Sequence, residues 1–147
     1  MHLSNSDEQQ SVEQYVISVL NERLGVNLIP RSLKLTDCSS VQIDGFDSES
    51  KTLCEIYARV GRLKGSQPDK VASDILKMRF VELQIGGHWR KIICFCDHDA
   101  SYILSGKSWL AKAASSFGVE VQVVVLPEDL KSKIIGAQIR QKMVNAK

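Results

Sequence analysis

Two stretches in which apolar and polar side chains alternate, Val41 to Phe46 and Thr52 to Val60, are separated by little more than the turn-forming residues Asp47 to Ser50. Alternation of this kind puts every second side chain on one face of a strand, and so short a connection joins antiparallel neighbours. In the second run Cys54, Ile56, Ala58 and Val60 share one face, while Glu55, Tyr57 and Arg59 share the other. A hairpin cannot bury its apolar faces alone, so the flanking segments must cover it.

Those segments are legible. Ser11 to Leu24 carries Val12, Tyr15, Val16, Val19, Leu20 and Leu24 at helical spacing, with Gly25 where a C-terminal cap belongs. Ser32 to Leu35 reads as a short strand. Beyond the hairpin, Gly61 to Gln67 is a basic, glycine-containing loop, and Pro68 suits the first turn of a helix running to about Leu83. That helix is apolar over a wide arc and is predicted to be covered on more than one side. Arg90 to Asp97 reads as a central strand, Ala100 to Phe117 as a helix, Val119 to Leu126 as a strand and Pro127 onward as a last helix. The back half is thus a β-α-β unit with parallel strands, followed by a helix.

At 147 residues the chain is predicted to be a single domain, 1–147, with 44% hydrophobic and 24% charged residues, the balance of a globular protein. The net charge of +2 neither demands nor excludes a nucleic-acid partner. No apolar run is long enough for a membrane span, and the polar MHLSNSDEQQ start predicts neither signal nor transit peptide, so a cytoplasmic location is expected. Cys38, Cys54, Cys94 and Cys96 then read as reduced thiols. Cys94, Cys96 and His98 would offer three zinc ligands, but a structural zinc site needs a fourth. Trp89 and Trp109 read as packing anchors. Gly106-Lys107-Ser108 does not make a phosphate loop, because Ser101 stands where its first glycine is required. Asp97-His98-Asp99 reads as the cap of the next helix.

The candidate chemistry lies in the hairpin. Asp44 ends one alternating run, and Glu55 is set among Leu53, Cys54 and Ile56 in the next. A charge inside an apolar strand needs a reason. Two carboxylates on neighbouring strands suit Mg²⁺, which takes one or two carboxylates and fills its shell with water and substrate phosphate oxygens. Separately, an Asp before Gly is a common turn former, and a Glu beside Arg59 can be an ion pair. Lys70, Asp74 and Lys77 share one helix face and read as mutual charge satisfaction.

The order helix, strand, hairpin, helix, strand, with Ile43-Asp44-Gly45 and then Glu55-Ile56-Tyr57-Ala58, resembles the PD-(D/E)xK nuclease superfamily, the restriction-endonuclease-like enzymes. The resemblance covers roughly residues 11–97. The chain is also similar to a group of uncharacterised bacterial proteins sharing EIYAR-x-G-x-LKG-x-Q and Q-x-RQ-x-MVN stretches. The superfamily resemblance implies a restriction-endonuclease-like α/β core, a mixed central sheet flanked by helices, with a C-terminal β-α-β-α extension. It implies Asp44 and Glu55 as ligands of Mg²⁺ or Mn²⁺. The signature lysine position holds Tyr57, and in such enzymes that lysine sometimes moves to the following loop or helix, which makes Lys64 or Lys70 its replacement. Gln67 matches a glutamine some members carry at the start of that helix. A further carboxylate would come from Glu13 or Glu22.

Two functions follow. One is a metal-dependent nuclease that hydrolyses phosphodiester bonds, acting on DNA more than RNA, with a homodimer supplying surface that so small a chain lacks. The other is a catalytically inactive module on the same scaffold that binds nucleic acid or a protein, for which Tyr57 is the main argument.

Overall fold

The computed structural model describes residues 3–35 and 40–145, so Cys38 lies outside the described residues. Helix α1 (Leu3–Leu24) is followed by strands β1 (Ile29–Lys34), β2 (Ser40–Asp47) and β3 (Thr52–Tyr57). Helix α2 (Gln67–Ile85) leads to β4 (Arg90–Phe95), a short α3 (His98–Ser101), α4 (Trp109–Ser116), β5 (Val119–Val123) and α5 (Glu128–Asn145). The strands form one sheet in the order β1-β2-β3-β4-β5. The β1–β2 and β2–β3 pairs are antiparallel, and β3–β4 and β4–β5 are parallel. This is the mixed, helix-flanked α/β sheet expected of a restriction-endonuclease-like core, and the C-terminal β-α-β-α portion continues the same sheet.

The alternation read in the hairpin sorts its side chains onto two cores. Leu53 and Tyr57 of β3 pack with Val71, Ile75, Met78 and Val81 of α2 and with Ile93 and Phe95 of β4. Cys54 and Ile56 face the other way, onto Val12, Val16 and Leu20 of α1 and Ile134 of α5. All six residues of β3 are buried, so the strand is central in both senses. Gly25 ends α1 with φ +66° and donates its N–H to Asn21 O at 3.0 Å, as the sequence predicts.

Four local expectations are corrected. Strand β3 stops at Tyr57 instead of Val60: the Arg59 N–H turns back to Tyr57 O at 3.0 Å, and the Val60 N–H goes to the Gln138 side chain at 2.9 Å. The helix expected from Ala100 to Phe117 is broken, because Ser108 caps a new helix by accepting the Ala111 N–H at 3.2 Å, leaving Gly106 and Lys107 in the gap. Trp109 is no packing anchor, being 76% exposed, whereas Trp89 is buried and stacks on Phe46 at 5.4 Å. Helix α2 is covered on one side, since Leu76, Phe80 and Leu83 are exposed.

Candidate active site

The site begins with an irregularity in β2. Between the pairs Ile29–Phe46 and Arg31–Ile43, β1 advances two residues while β2 advances three, so β2 carries a bulge at Asp44-Gly45. Pro30, with no N–H to give, sits opposite on the edge strand. Gly45 is therefore not the turn residue that Asp-Gly suggested. A side chain there would put its Cβ 3.2 Å from Leu28 Cβ and 3.3 Å from Cys54 Cβ, and the glycine is what lets the bulge lie flat against its neighbours.

Beyond Gly45 the two strands stop exchanging backbone bonds, and their acids take over. The Asp44 N–H donates to Glu55 Oε1 at 2.9 Å, and the Ile56 N–H donates to Asp44 Oδ2 at 2.8 Å. Each carboxylate accepts from the opposite strand. Glu55 is 1% exposed, yet it does not pair with Arg59: Lys77 Nζ of α2 lies 2.5 Å from its Oε2. Lys77 also donates to Gln42 O at 2.8 Å, which ties α2 to the bulged strand.

These groups line a cleft of about 350 Å³ at the carboxyl end of β3, between α1 and α5 on one side and α2 on the other. Carboxyl ends of parallel strands are where open α/β sheets bind ligands. The cleft holds Glu13, Asp44 and Glu55 together with Arg59, Lys70 and Lys77. Burial, then the negative charge of Asp44, pushes the Glu55 carboxyl up to about 8 despite Lys77. Burial likewise raises Asp44, although the Ile56 N–H and Lys77 oppose it. Burial raises Glu13 too, with a contribution from Asp44. All three shifts have burial as their largest cause, and repulsion between the carboxylates adds to it.

Of the residues named from the sequence, Asp44, Glu55 and Lys70 come together in this cleft. Lys70 is bound to the buried Asp74 carboxylate at 2.8 and 2.9 Å. Burial disfavours its charge, but Asp74 and then Glu55 and Asp44 outweigh that and raise it. Lys64 and Gln67 line a neighbouring depression instead. Gln67 closes its own loop, accepting the Lys64 N–H at 2.9 Å and returning its N–H to Lys64 O at 3.0 Å. Of the two candidate helix acids, Glu13 lines the cleft and Glu22 does not. Lys77 was missed as a partner of Glu55. The signal was present in its shared face with Lys70 and Asp74, but sequence spacing cannot say which strand that face meets.

Tyr57 occupies the motif-lysine position. It is 5% exposed, its ring packs on Phe95 at 5.8 Å, and its buried hydroxyl has no hydrogen-bond partner among the described residues, although the residue lines the cleft. Two carboxylates on adjacent strands are the hard oxygen donors that a divalent cation takes, and among the described residues Asp44 Oδ1 is taken by no hydrogen bond, although no group of three or more His, Cys, Asp or Glu side chains there is arranged to hold a metal ion. At the carboxyl end of β4, Asp97 caps α3 by accepting the Asp99 N–H at 2.7 Å, and it also accepts the Gly61 N–H. That polar cluster is structural, as the capping spacing indicated.

No protein-family model matches the chain, and no curated protein matches it. The solved structure of EndoMS in apo form aligns with 79% of this chain and 47% of its own, at 16% identity and a TM-score of 0.42. This chain therefore spans less than half the length of that one. No helix among the described residues is long and apolar enough to cross a membrane.

Proposed function

We propose that the chain is a metal-dependent nuclease hydrolysing phosphodiester bonds of nucleic acid, DNA in preference to RNA. The observation that carries this reading is the 2.5 Å contact between Lys77 and Glu55 in the cleft that also holds Asp44. It supplies two acids and a lysine in one place although the lysine comes from α2 and not from β3. Asp44 and Glu55 would hold Mg²⁺ or Mn²⁺, and the chemistry supplied by such an ion is polarisation of the phosphoryl oxygens and of an attacking water. The protein's own groups do the rest. Lys77, anchored by Gln42 O, fixes a positive charge beside the acids, where negative charge grows on the phosphate. Tyr57 carries a hydroxyl that lacks any partner among the described residues. Glu13 of α1 lines the same cleft as a further carboxylate.

A second reading, an inactive module that binds nucleic acid or a protein, is favoured by one observation. Both Glu55 oxygens are already engaged, by the Asp44 N–H and by Lys77. A cleavage assay on plasmid, linear and single-stranded substrates with Mg²⁺ or Mn²⁺, beside the Asp44→Ala/Glu55→Ala double variant, separates the two. Cutting by wild type alone supports the nuclease. Absence of cutting together with absence of metal-dependent stabilisation leaves the binding module.

A further inference from the structure

Next to the acid cleft lies a second depression, about 490 Å³, between the β3–α2 loop and α5. Its lining differs in kind from that of the cleft. Arg59, Arg62, Lys64 and Lys142 surround it, and no carboxylate does. None of the four forms an ion pair among the described residues, whereas Lys70, Lys77, Arg79, Arg90, Lys91 and Arg140 all do. Four cations left without counter-charges around one concavity mark a site for an anion. The rest of the lining includes two apolar side chains of α5, Ile135 and Ile139, both exposed to solvent. Arg59 and Gln138 belong to both depressions, so the two are continuous.

The depression is also held in shape. The Gln138 amide is spent on the Val60 backbone, accepting its N–H at 2.9 Å and donating to its C=O at 3.3 Å, which pins the basic loop to α5. The Arg62 guanidinium lies over the Tyr102 ring, 4.9 Å from its centre. Neither contact neutralises charge.

We infer that this depression is the subsite for an unpaired nucleotide of the substrate strand, with its phosphates at Arg59, Arg62, Lys64 and Lys142 and its base against Ile135 and Ile139. The inference rests on the nuclease reading for the identity of the polymer, and it adds that the strand is single where it leaves the acids. The physical reason is the mixture of charge and apolar surface in one open depression. A duplex keeps its base faces stacked inside and presents phosphates along a convex surface, so it would leave the two isoleucines in contact with nothing. A splayed-out base has an apolar face to bury and a phosphate on either side to neutralise. Single-stranded DNA and RNA share that chemistry, and the assay distinguishes them.

The test is fluorescence anisotropy with the full chain in EDTA, using matched fluorescein-labelled single-stranded DNA, single-stranded RNA and duplex DNA across a salt series. Single strands are expected to bind about tenfold tighter than duplex. Arg62→Ala/Lys64→Ala is expected to weaken single-strand binding about tenfold and to flatten the log–log salt slope by about 1 to 1.5, for two lost phosphate contacts. Ile139→Ser should weaken it about fivefold with the slope unchanged, since it removes apolar contact and no charge. All three are surface positions, and unchanged melting temperatures confirm that the variants fold. Equal or tighter duplex binding, no binding of any oligonucleotide, or a salt slope indifferent to Arg62 and Lys64 overturns the subsite. Single-strand binding with these sensitivities but no cleavage in Mg²⁺ or Mn²⁺ removes the nuclease reading and supports the subsite. Cleavage of single strand and duplex alike, unaffected by the double variant, does the reverse.

Discussion

Asp44 and Glu55 end the β2–β3 ladder on each other. The N–H of Asp44 is held by the Glu55 carboxylate at 2.9 Å, and the Asp44 carboxylate holds the N–H of Ile56 at 2.8 Å. Where a regular hairpin would continue with backbone pairs, this one opens, and the two side chains that close the gap are the acids that face the cleft. A structural role for the pair and the proposed chemical one are therefore compatible. The hydrogen bonds that hold the carboxylates in place would also fix their positions for the proposed cation.

Separating charge from hydrogen bonding at Asp44 tests this directly. Asp44→Asn keeps an oxygen for the Ile56 N–H and removes repulsion with Glu55, so the melting temperature in EDTA should hold or rise. Asp44→Ala strands that N–H and should cost about 1–3 kcal/mol in denaturant unfolding. Both substitutions should abolish the Mg²⁺-dependent rise in melting temperature. A rise that survives in either places the metal elsewhere.

The pH dependence has a definite sign. Glu55 has an ordinary value near 4.5 and is raised to about 8 by burial and by Asp44. Below its ordinary value it is protonated folded or unfolded. Between the two values the unfolded chain loses a proton that the folded protein keeps, so stability in EDTA falls as pH rises from about 5 to about 8. The raised Asp44 acts in the same direction. Glu82 acts oppositely. It is 4% exposed, and burial is outweighed by the equally hidden Lys91 at 2.7 Å and by the Trp89 N–H, which hold it low. Its contribution is present above its ordinary value and is lost as pH falls through the lowered one. Melting curves in EDTA should thus peak on the acid side of neutrality, and Mg²⁺ should flatten the alkaline limb by favouring the ionised pair. A melting temperature that climbs steadily from about pH 5 to 8 without metal contradicts the assignment.

Lys77 and Lys64 should separate chemistry from binding. Lys77→Met removes the charge beside Glu55 and should lower kcat by about 10²- to 10³-fold with little change in KM. Lys64→Ala, in the neighbouring depression, should raise KM and leave kcat nearly unchanged. Steady-state cleavage of one labelled substrate by both variants reads the split. Equal effects on both parameters would mean that Lys77 is only a counter-ion.

Tyr57 carries a buried hydroxyl that no group among the described residues satisfies. Removing it should therefore cost nothing in stability, and Tyr57→Phe should melt at the wild-type temperature or slightly above it. If the hydroxyl meets the phosphate, the same variant should cleave about tenfold more slowly, which single-turnover rates would show. Wild-type cleavage by Tyr57→Phe makes the ring a packing residue alone.

Much of the fold is written locally in the chain. The alternation in Val41 to Phe46 and in Thr52 to Val60, the stripe on α1 and the glycine that ends it each depend on residues within one or two turns of each other, and strands and helix formed there, although β3 stops at Tyr57 and a bulge interrupts β2 at Asp44-Gly45. Errors arose where a side chain won a backbone group that apolar periodicity does not see. Gln138 took the Val60 N–H and ended β3, and Ser108 took the Ala111 N–H and broke a helix that apolar spacing alone would have continued.

At the site the sequence by itself placed Asp44 and Glu55 on adjacent strands of a hairpin, because two alternating runs joined by a short turn must be neighbours. Only the tertiary structure decided which cation serves them. Lys64, Lys70 and Lys77 are equivalent in sequence terms, lying on the loop and the helix that follow the hairpin. The loop folds back on Gln67, Lys70 is taken by Asp74, and the packing of α2 over β3 brings Lys77 to Glu55. The bulge at Asp44-Gly45, which depends on an unpaired position opposite Pro30 and on the close approach of Leu28, is likewise set by how the strands meet.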